Sequence, residues 1–408
     1  MKDNRIVITG MGVMSAIGNN AGECLDALRH GRTGIGPMRY LDSVHHEFPV
    51  GEVKLTCEHM ATRLAALIPA TGIDLGSYPR TSLMGAIAAS EAMRSAKLST
   101  TDKAALLSGT TVGGMDKSER YFADAHHNPE HSKYIATHSC GASTEAIAQC
   151  FPGQFHLATT ISTACSSALN TIIVGAELLK SGRASVVVAG GSESLTRFHL
   201  NGFKSLMILD HEPCRPFDAT RAGLNLGEGA AYLVLETESH ALARGIEPLA
   251  VLSGTGNRCD AFHQTASSDN GEGAYQAMSR ALATAGLEPA DIDYVNAHGT
   301  GTPNNDASEC EALKRVFGTS VPPFSSTKSF TGHTTSASGS IEAAFCVMAL
   351  RHQFLPVNLN WHAPMDNGLK PVVDMEPSRE IVNVQCNAFG FGGNDSSIII
   401  SKYQGHEQ

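Results

Sequence analysis

Short runs of β-branched and apolar residues alternate along this chain with longer stretches in which small and apolar residues recur every three or four positions. The short runs predict buried strands, and the longer stretches predict helices. Their alternation predicts an α/β fold in which helices cover a mostly parallel sheet. The predicted strands are Arg5–Gly12, Leu106–Thr111, Ala184–Gly190, Ala230–Glu236, Leu249–Gly254, Tyr294–Ala297 and Ser396–Ser401, and the predicted helices are Ser82–Ala96, Ser166–Ser181, Gly273–Ala285 and Gly339–His352.

A single charged helical stretch, Thr237–Pro248, separates two glycine-rich strand units and predicts a boundary between two halves, residues 1–242 and 243–408. In each half a helix follows a loop of hydroxyl-bearing and small residues, which is Ile161–Leu169 in the first and Thr327–Gly339 in the second. The shared plan indicates two similar halves, although no sequence identity between them is strong enough to prove a duplication.

The bulk properties exclude several classes of protein. The 408 residues carry a formal net charge of −10, which argues against nucleic acid or an anionic membrane as the partner. No apolar run approaches the roughly 18 residues that span a bilayer, and Met1–Arg5 leads into a strand rather than a signal peptide, so we expect a cytoplasmic protein. Ten cysteines without paired spacing predict reduced thiols. Without a CxxC or HExxH motif no metal is expected, and the four histidines within Met115–Phe155 predict a solvated insertion.

One cysteine stands in a setting that suits nucleophilic catalysis. Cys165 lies where a strand-like stretch ends and a helix begins, so its thiol is expected at the positive end of the helix, where the thiolate is favoured. Small residues on both sides permit the sharp turn of a nucleophile elbow and the approach of a bulky acyl thioester. Taken alone, a cysteine in this position is more often a packed core thiol.

Two histidines stand in separate glycine-rich loops. His298, in Asn296–Pro303, directly follows a short predicted strand, and α/β enzymes place their sites at such strand ends. His333 ends the segment Ser326–His333, five residues after Lys328. Either histidine alone could be structural. A cysteine together with two such histidines is much harder to assign to packing.

These segments, with the closing Asn387–Gly393, resemble the four signature segments of type II β-ketoacyl-acyl carrier protein synthases of the elongating type, in the thiolase superfamily. The resemblance covers nearly the whole chain, including Arg215–Ala230. It implies a five-layered αβαβα thiolase-like fold of two fused similar halves. It also implies an acyltransferase that performs a decarboxylative Claisen condensation in fatty acid or polyene biosynthesis. Its substrates are carried on the phosphopantetheine of an acyl carrier protein, no other cofactor is expected, and the enzyme is a homodimer or a heterodimer with a chain-length-factor-like subunit.

The resemblance also assigns roles to residues. Cys165 is the nucleophile, and His298 and His333 donate hydrogen bonds that stabilise the enolate formed from malonyl-carrier. Lys328 orders the catalytic site, and Glu342 supports it. Without the resemblance, Lys328 would suit a surface ion pair equally well.

Further roles fall on two loops. The backbone N–H of Phe391 joins that of the nucleophile in an oxyanion hole, and the Phe391 ring gates the acyl pocket, with Gly392 and Gly393 as supporting glycines. Thr300 and Thr302 bind the pantetheine arm. Without the resemblance, these threonines would be ordinary loop hydroxyls and the phenylalanine a packed one.

The chain departs from the family pattern at Asn394–Asp395, where Thr-Asn is usual. The resemblance therefore does not predict which hydrogen bonds hold the gating loop of Phe391. The segments His138–Ala146 and Ser194–Asp210 resemble the condensing enzymes of bacterial aryl polyene and flexirubin-type pigment clusters, which implies a rigid polyene chain in a straight slot. Because acyl carrier proteins are acidic, we expect a local basic patch, with Arg63, Arg197 and Lys204 as candidates.

Three rival functions predict other residues at these positions. A thiolase needs a second cysteine in the C-terminal glycine-rich loop, and Phe389–Gly393 contains none. Initiating synthases that use acetyl-CoA pair their histidine with an asparagine where this chain has His333. A chain-length factor keeps the fold but lacks the nucleophile. The presence of Cys165 favours the catalytic subunit.

Overall fold

The computed structural model describes residues 5–69, 72–366 and 368–405. Within these ranges every helix is too short or too polar to span a bilayer. Residues 1–4, part of the stretch taken to argue against a signal peptide, lie outside the described residues. The strands in chain order are β1 (Ile6–Ser15), β2 (Ala104–Gly109), β3 (Phe155–Ile161), β4 (Val186–Glu193), β5 (Gly229–Thr237), β6 (Ala250–Cys259), β7 (Tyr294–Asn296), β8 (Phe324–Ser325), β9 (Asn383–Gly390) and β10 (Asn394–Ser401).

The described strands form one ten-stranded sheet in the order β3-β2-β4-β5-β1-β6-β10-β9-β7-β8. This order is symmetric about its middle, because each strand of the first half has its counterpart five strands later in the chain. The halves join where β1 pairs with β6 over three residue pairs, from Ile6–Leu252 to Ile8–Ala250. The repetition confirms the predicted pair of similar halves.

The strand directions differ from the prediction of a mostly parallel sheet. Among the described strands, β2 runs parallel to β3 and β4, and β7 runs parallel to β8 and β9, but the five other pairings are antiparallel. The antiparallel pairs include the hairpin of β9 and β10, whose turn is the glycine-rich loop Gly390–Gly393. Tight returns of this kind reverse the chain without a crossover helix. The prediction of a mostly parallel sheet was therefore wrong.

The helices give the fold its layers. The central helices α7 (Ser167–Lys180) and α13 (Ser338–His352) contact each other. Helix α7 packs on β2 and β4, and α13 contacts β5 and β9 from opposite halves of the sheet. On the outer faces α3 (Arg80–Ser95) covers β1 and β5, and α10 (Glu272–Ala285) covers β6 and β10. The helices are α1 (Ala21–Arg29), α2 (Cys57–Ala65), α3 (Arg80–Ser95), α4 (Met115–Ala125), α5 (Ser132–Ile135), α6 (Cys140–Gln149), α7 (Ser167–Lys180), α8 (Arg197–Ser205), α9 (Glu238–Ala243), α10 (Glu272–Ala285), α11 (Pro303–Phe317), α12 (Lys328–Thr331) and α13 (Ser338–His352).

The position of α13 explains its sequence. Thirteen of its fifteen residues are buried, and a helix covered on all sides needs apolar or small residues around its whole circumference. The two central helices lie between the two half-sheets. Helix α7 follows the loop of Cys165, and α13 follows the loop of His333. The expected αβαβα layering is thus present, and it brings the ends of α7 and α13 to the same place.

The stretch Met115–Phe155 is not the solvated loop that its weak periodicity predicted. It contains α4, α5 and α6, and the rings of Tyr121 and Tyr134 stack with centroids 4.2 Å apart. Few residues of α4 and α5 are buried, so their sequences lack the regular apolar spacing that predicts a helix. Among the described residues no group of three histidine, cysteine or acidic side chains is placed to hold a metal ion.

Candidate active site

The turn that carries Cys165 is sharp and strained. Strand β3 ends at Ile161 and α7 begins at Ser167, so Cys165 lies two residues before the helix. Its neighbour Ala164 adopts a φ of 52°, in the left-handed region that residues with a side chain rarely enter. The predicted elbow is therefore present. It holds the thiol almost fully buried, at 5% exposure.

Burial and nearby groups act in opposite directions on this thiol. Burial raises the pKa of Cys165 to about 12, although the Lys328 charge and the backbone N–H of Phe391 act to lower it. Desolvation thus opposes the thiolate that the start of the helix was predicted to favour. The Phe391 N–H lies within reach of the sulfur.

The two histidines lie beside the thiol at different distances from it. His333 Nε2 is 3.2 Å from Cys165 Sγ. The His298 ring lies 5.2 Å from the His333 ring between centroids and is nearly perpendicular to it. Burial, with the Lys328 charge, lowers the pKa of both imidazoles well below the ordinary value. Both rings are therefore neutral near pH 7, and each can offer one N–H donor.

A buried ion pair orients His298. Lys328 Nζ lies 2.6 Å from Glu342 Oε1 and 3.3 Å from His298 Nδ1, and the lysine and glutamate side chains are only 1% and 2% exposed. Burial raises the pKa of Glu342 to about 7, against the lowering effect of the lysine. Because an ammonium group can only donate, Nδ1 accepts and the proton of the neutral ring is placed on Nε2. Lys328 is thus part of the site, and the surface ion pair is excluded.

A second carboxylate, missed at the sequence level, fixes the loop of His298. Glu309 on α11 accepts hydrogen bonds from the backbone N–H groups of His298 at 2.9 Å and Gly299 at 2.8 Å. Burial raises its pKa to about 7. The sequence carried no signal for this role, because only the packed structure shows that Glu309 is buried beside the loop of His298 and needs partners there.

A cavity of about 280 Å³ leads to the thiol. It is lined by residues from the loops of Cys165, His298 and His333 and from the glycine-rich turn Gly390–Gly393. Thr300 and Thr302 lie along it with their hydroxyl oxygens 2.8 Å apart. The Phe391 ring stacks on Phe203 with centroids 5.7 Å apart. Gly392 and Gly393 adopt φ values of 82° and 75°, which allow the tight turn beside the ring. At about 280 Å³ the cavity lies near the lower end of the roughly 300 to 1,000 Å³ that ligand sites occupy.

The departure from the family pattern at Asn394 has a clear structural role. Its side-chain oxygen accepts hydrogen bonds from Ser166, Asn170 and Asn257, at 2.8, 2.8 and 2.9 Å. The base of the glycine-rich turn is therefore tied to the start of α7. The neighbouring Asp395 is buried, and burial together with the nearby carboxylates raises its pKa to about 8.

Comparison with known proteins agrees with this geometry. The model of the beta-ketoacyl synthase N-terminal domain matches residues 3–241, and the model of the beta-ketoacyl synthase C-terminal domain matches residues 249–362. The chain belongs to the beta-ketoacyl synthase family. The expected family, the thiolase-like fold and the acyltransferase class are thereby confirmed.

Individual relatives match nearly the whole length of this synthase. It is similar to Nodulation protein E of Rhizobium meliloti (strain 1021), with 36% identity over 408 residues that cover 97% of this chain and 98% of that protein. It is also similar to 3-oxoacyl-[acyl-carrier-protein] synthase 2 of Vibrio cholerae serotype O1, with 33% identity over 434 residues, covering 98% and 100%. Among solved structures, the ishigamide ketosynthase/chain length factor matches with a TM-score of 0.90 and 30% identity, covering 98% of this chain and 100% of that one.

Proposed function

We propose that this synthase condenses an acyl chain held on Cys165 with a malonyl unit carried on an acyl carrier protein, releasing carbon dioxide and a β-ketoacyl thioester two carbons longer. The contact of 3.2 Å between Cys165 Sγ and His333 Nε2, with the His298 ring beside it at the end of the cavity, carries the proposal. A nucleophile, a base within reach and a second donor form the constellation that acyl transfer requires.

In the first step Sγ of Cys165 attacks the carbonyl of the acyl thioester. The thiol is protonated at neutral pH, and His333 Nε2 is placed to take the proton and pass it to the departing pantetheine sulfur. The backbone N–H groups of Cys165 and Phe391 stabilise the oxyanion. Thr300 and Thr302 hold the pantetheine arm along the cavity.

In the second step malonyl-carrier enters and loses carbon dioxide. The negative charge left on the thioester oxygen is stabilised by the Nε2–H donors of His298 and His333, since the neutral His333 ring carries its proton on Nε2 once the thiol proton has left with the first carrier. The carbanion forms a carbon–carbon bond with the acyl carbonyl as the bond to Cys165 Sγ breaks, and the released thiolate takes a proton from His333 Nε2, which solvent then replaces. Lys328 contributes by holding the His298 ring in the orientation in which its Nε2–H can donate.

The partners of the proposal are an acyl carrier protein and a second subunit. Lys204 is exposed on α8, next to Phe203, whose ring stacks on Phe391 at the cavity, so it is well placed to meet an acidic carrier. We propose a homodimer or a heterodimer with a chain-length-factor-like subunit. The similarity to the ishigamide ketosynthase/chain length factor supports the second arrangement.

We further propose that the product is a conjugated polyene of the aryl polyene type rather than a saturated fatty acid. The support is the resemblance of His138–Ala146 and Ser194–Asp210 to pigment-cluster synthases. Ser194–Asp210 contains Phe203 and Ile208, which line the cavity. A flat chain would be accommodated along the stacked pair of Phe203 and Phe391.

The test is intact-mass spectrometry of the protein incubated with carrier proteins that bear either saturated or polyene acyl chains. We expect an adduct of acyl mass on the native protein and none on Cys165→Ala, and turnover should fall by at least about a thousandfold in that variant. Cys57→Ala, which removes a partly exposed thiol that does not line the cavity, is the matched control and should keep the adduct. A preference for saturated donors would contradict the polyene product but would leave the condensing function intact.

The rival function is a chain-length-factor-type subunit without catalysis. The assembled site with Cys165 and both histidines favours the catalytic subunit. Absence of an adduct with every donor, with or without a candidate partner subunit, would overturn the condensing function and favour the rival.

A further inference from the structure

A buried carboxylate outside the roles described above joins three segments around the catalytic thiol. Glu193 ends β4 and has no exposed surface. It accepts hydrogen bonds from the Thr110 hydroxyl at 2.5 Å, from the Thr111 backbone N–H at 3.0 Å, and from the Thr335 hydroxyl at 3.1 Å. Its charge also acts on the Cys165 thiol. Glu193 therefore links the loop after β2 to the loop that carries His333.

Thr335 lies in that loop, and its backbone is strained. Its φ is 44°, in the left-handed region, where a β-branched residue is a genuine outlier. Strain of this kind persists only where the surroundings fix the conformation, and it concentrates at functional sites. The side chain of Thr335 is buried, and its hydroxyl is fixed by Glu193.

His333 lies two residues before Thr335, and its ring has little direct support. Its backbone is held on the N-terminal side, where His333 N–H donates to Asn225 O at 2.7 Å and Gly227 N–H donates to His333 O at 2.9 Å. Its ring nitrogen Nδ1 is buried without a hydrogen-bond partner among the described residues. The direction of the ring therefore depends on the backbone that leads into Thr335.

From these contacts we infer that Glu193 and Thr335 are positioning residues, which hold the loop so that His333 Nε2 faces Cys165 Sγ. This inference rests on the proposed function, since it concerns the same reaction. Small displacements of an acid–base group lower the rate more than they lower affinity. Loss of the Glu193–Thr335 bond should therefore reduce kcat and leave KM unchanged.

The test compares Thr335→Val with Thr335→Ser in steady-state condensation. Valine keeps the shape and removes the hydroxyl, so kcat should fall about tenfold while KM for malonyl-carrier stays within about twofold. Serine keeps the hydroxyl and should restore most of kcat. If Thr335→Val does not fold, Thr335→Ala, which also removes the hydroxyl, is measured instead and should show the same loss of kcat.

Thr9→Val is the matched control. The Thr9 hydroxyl donates to the buried Glu236 at 2.6 Å, so this variant loses the same kind of bond among residues that do not line the site. It should lower Tm as Thr335→Val does and keep kcat. A wild-type kcat in Thr335→Val, or an equal loss in Thr9→Val, would overturn the inference. Failure of the proposed function would instead show as a wild-type protein that forms no adduct on Cys165.

Discussion

The two histidines of the site are the same residue type in the same half of the chain, yet they are held in different ways. His298 has its backbone fixed by Glu309 and its ring fixed by Lys328. His333 contacts the nucleophile, and its Nδ1 has no partner among the described residues. A ring supported on one nitrogen is a fixed donor, whereas a ring with a free nitrogen can both take and give a proton. We therefore expect different roles for the two rings, with His298 as a fixed donor and His333 as the group that takes and gives a proton.

The largest expected effect comes from removing each ring in turn. His298→Ala and His333→Ala should each lower condensation by about 10² to 10³-fold, because each removes a donor to the developing enolate. Only His333→Ala should also slow formation of the acyl adduct on Cys165, since His298 does not contact the sulfur. Pre-steady-state mass spectrometry of the adduct measures this difference. Equal rates of adduct formation in the two variants would contradict the proposal that the two histidines have different roles.

The next effect concerns the support of His298. Lys328→Met leaves Glu342 buried without its partner, so the free energy of unfolding should fall by about 3 kcal/mol at pH 8. The kcat should fall at least about tenfold, because His298 Nδ1 loses its donor. Chemical denaturation and steady-state kinetics measure the two losses.

A double variant separates stability from positioning. Lys328→Met combined with Glu342→Leu removes both charges, and an apolar replacement of a buried ion pair is often neutral for stability. We expect the free energy of unfolding to recover and kcat to stay low. Recovery of kcat together with stability would show that the pair serves folding alone.

Much of the fold was predictable because the apolar pattern is strong where elements are buried. The ends of the predicted and observed helices differ by at most two residues for α3, α7, α10 and α13. Strands β8 and β9 were missed, because β8 has only two residues and the polar residues Asn383, Gln385 and Asn387 interrupt the apolar pattern of the buried β9. The helices α4 to α6 were missed because few of their residues are buried. Strand direction was not predictable from the strands themselves, since the connections between strands set it.

The reacting groups were predictable, and their supports were not. Cys165, His298 and His333 stand in loops rich in glycine and hydroxyl residues, and the fold brings these loops together at the ends of α7 and α13. Glu193 lies far along the chain from the loops it holds, whereas Glu309 lies only eleven residues after His298, and in both cases a single carboxylate carries no local pattern. The raised pKa of Cys165 also depends on burial, which only the packed structure supplies.

The smallest effect tests a property that both histidines share. Burial lowers the pKa of each ring well below 6.5, so in the acidic range the unfolded chain binds protons that the folded protein does not. The contribution of each ring to stability is therefore fully present above pH 6.5 and is lost as the pH falls toward the native pKa. At pH 5.5 each ring should lower the free energy of unfolding by about 1.4 kcal/mol relative to pH 8. Urea unfolding of the wild type, His298→Gln and His333→Gln at both pH values measures it. Each variant should lose about 1.4 kcal/mol less than the wild type on acidification, and a wild-type loss in either variant would show that burial does not lower the pKa of that ring.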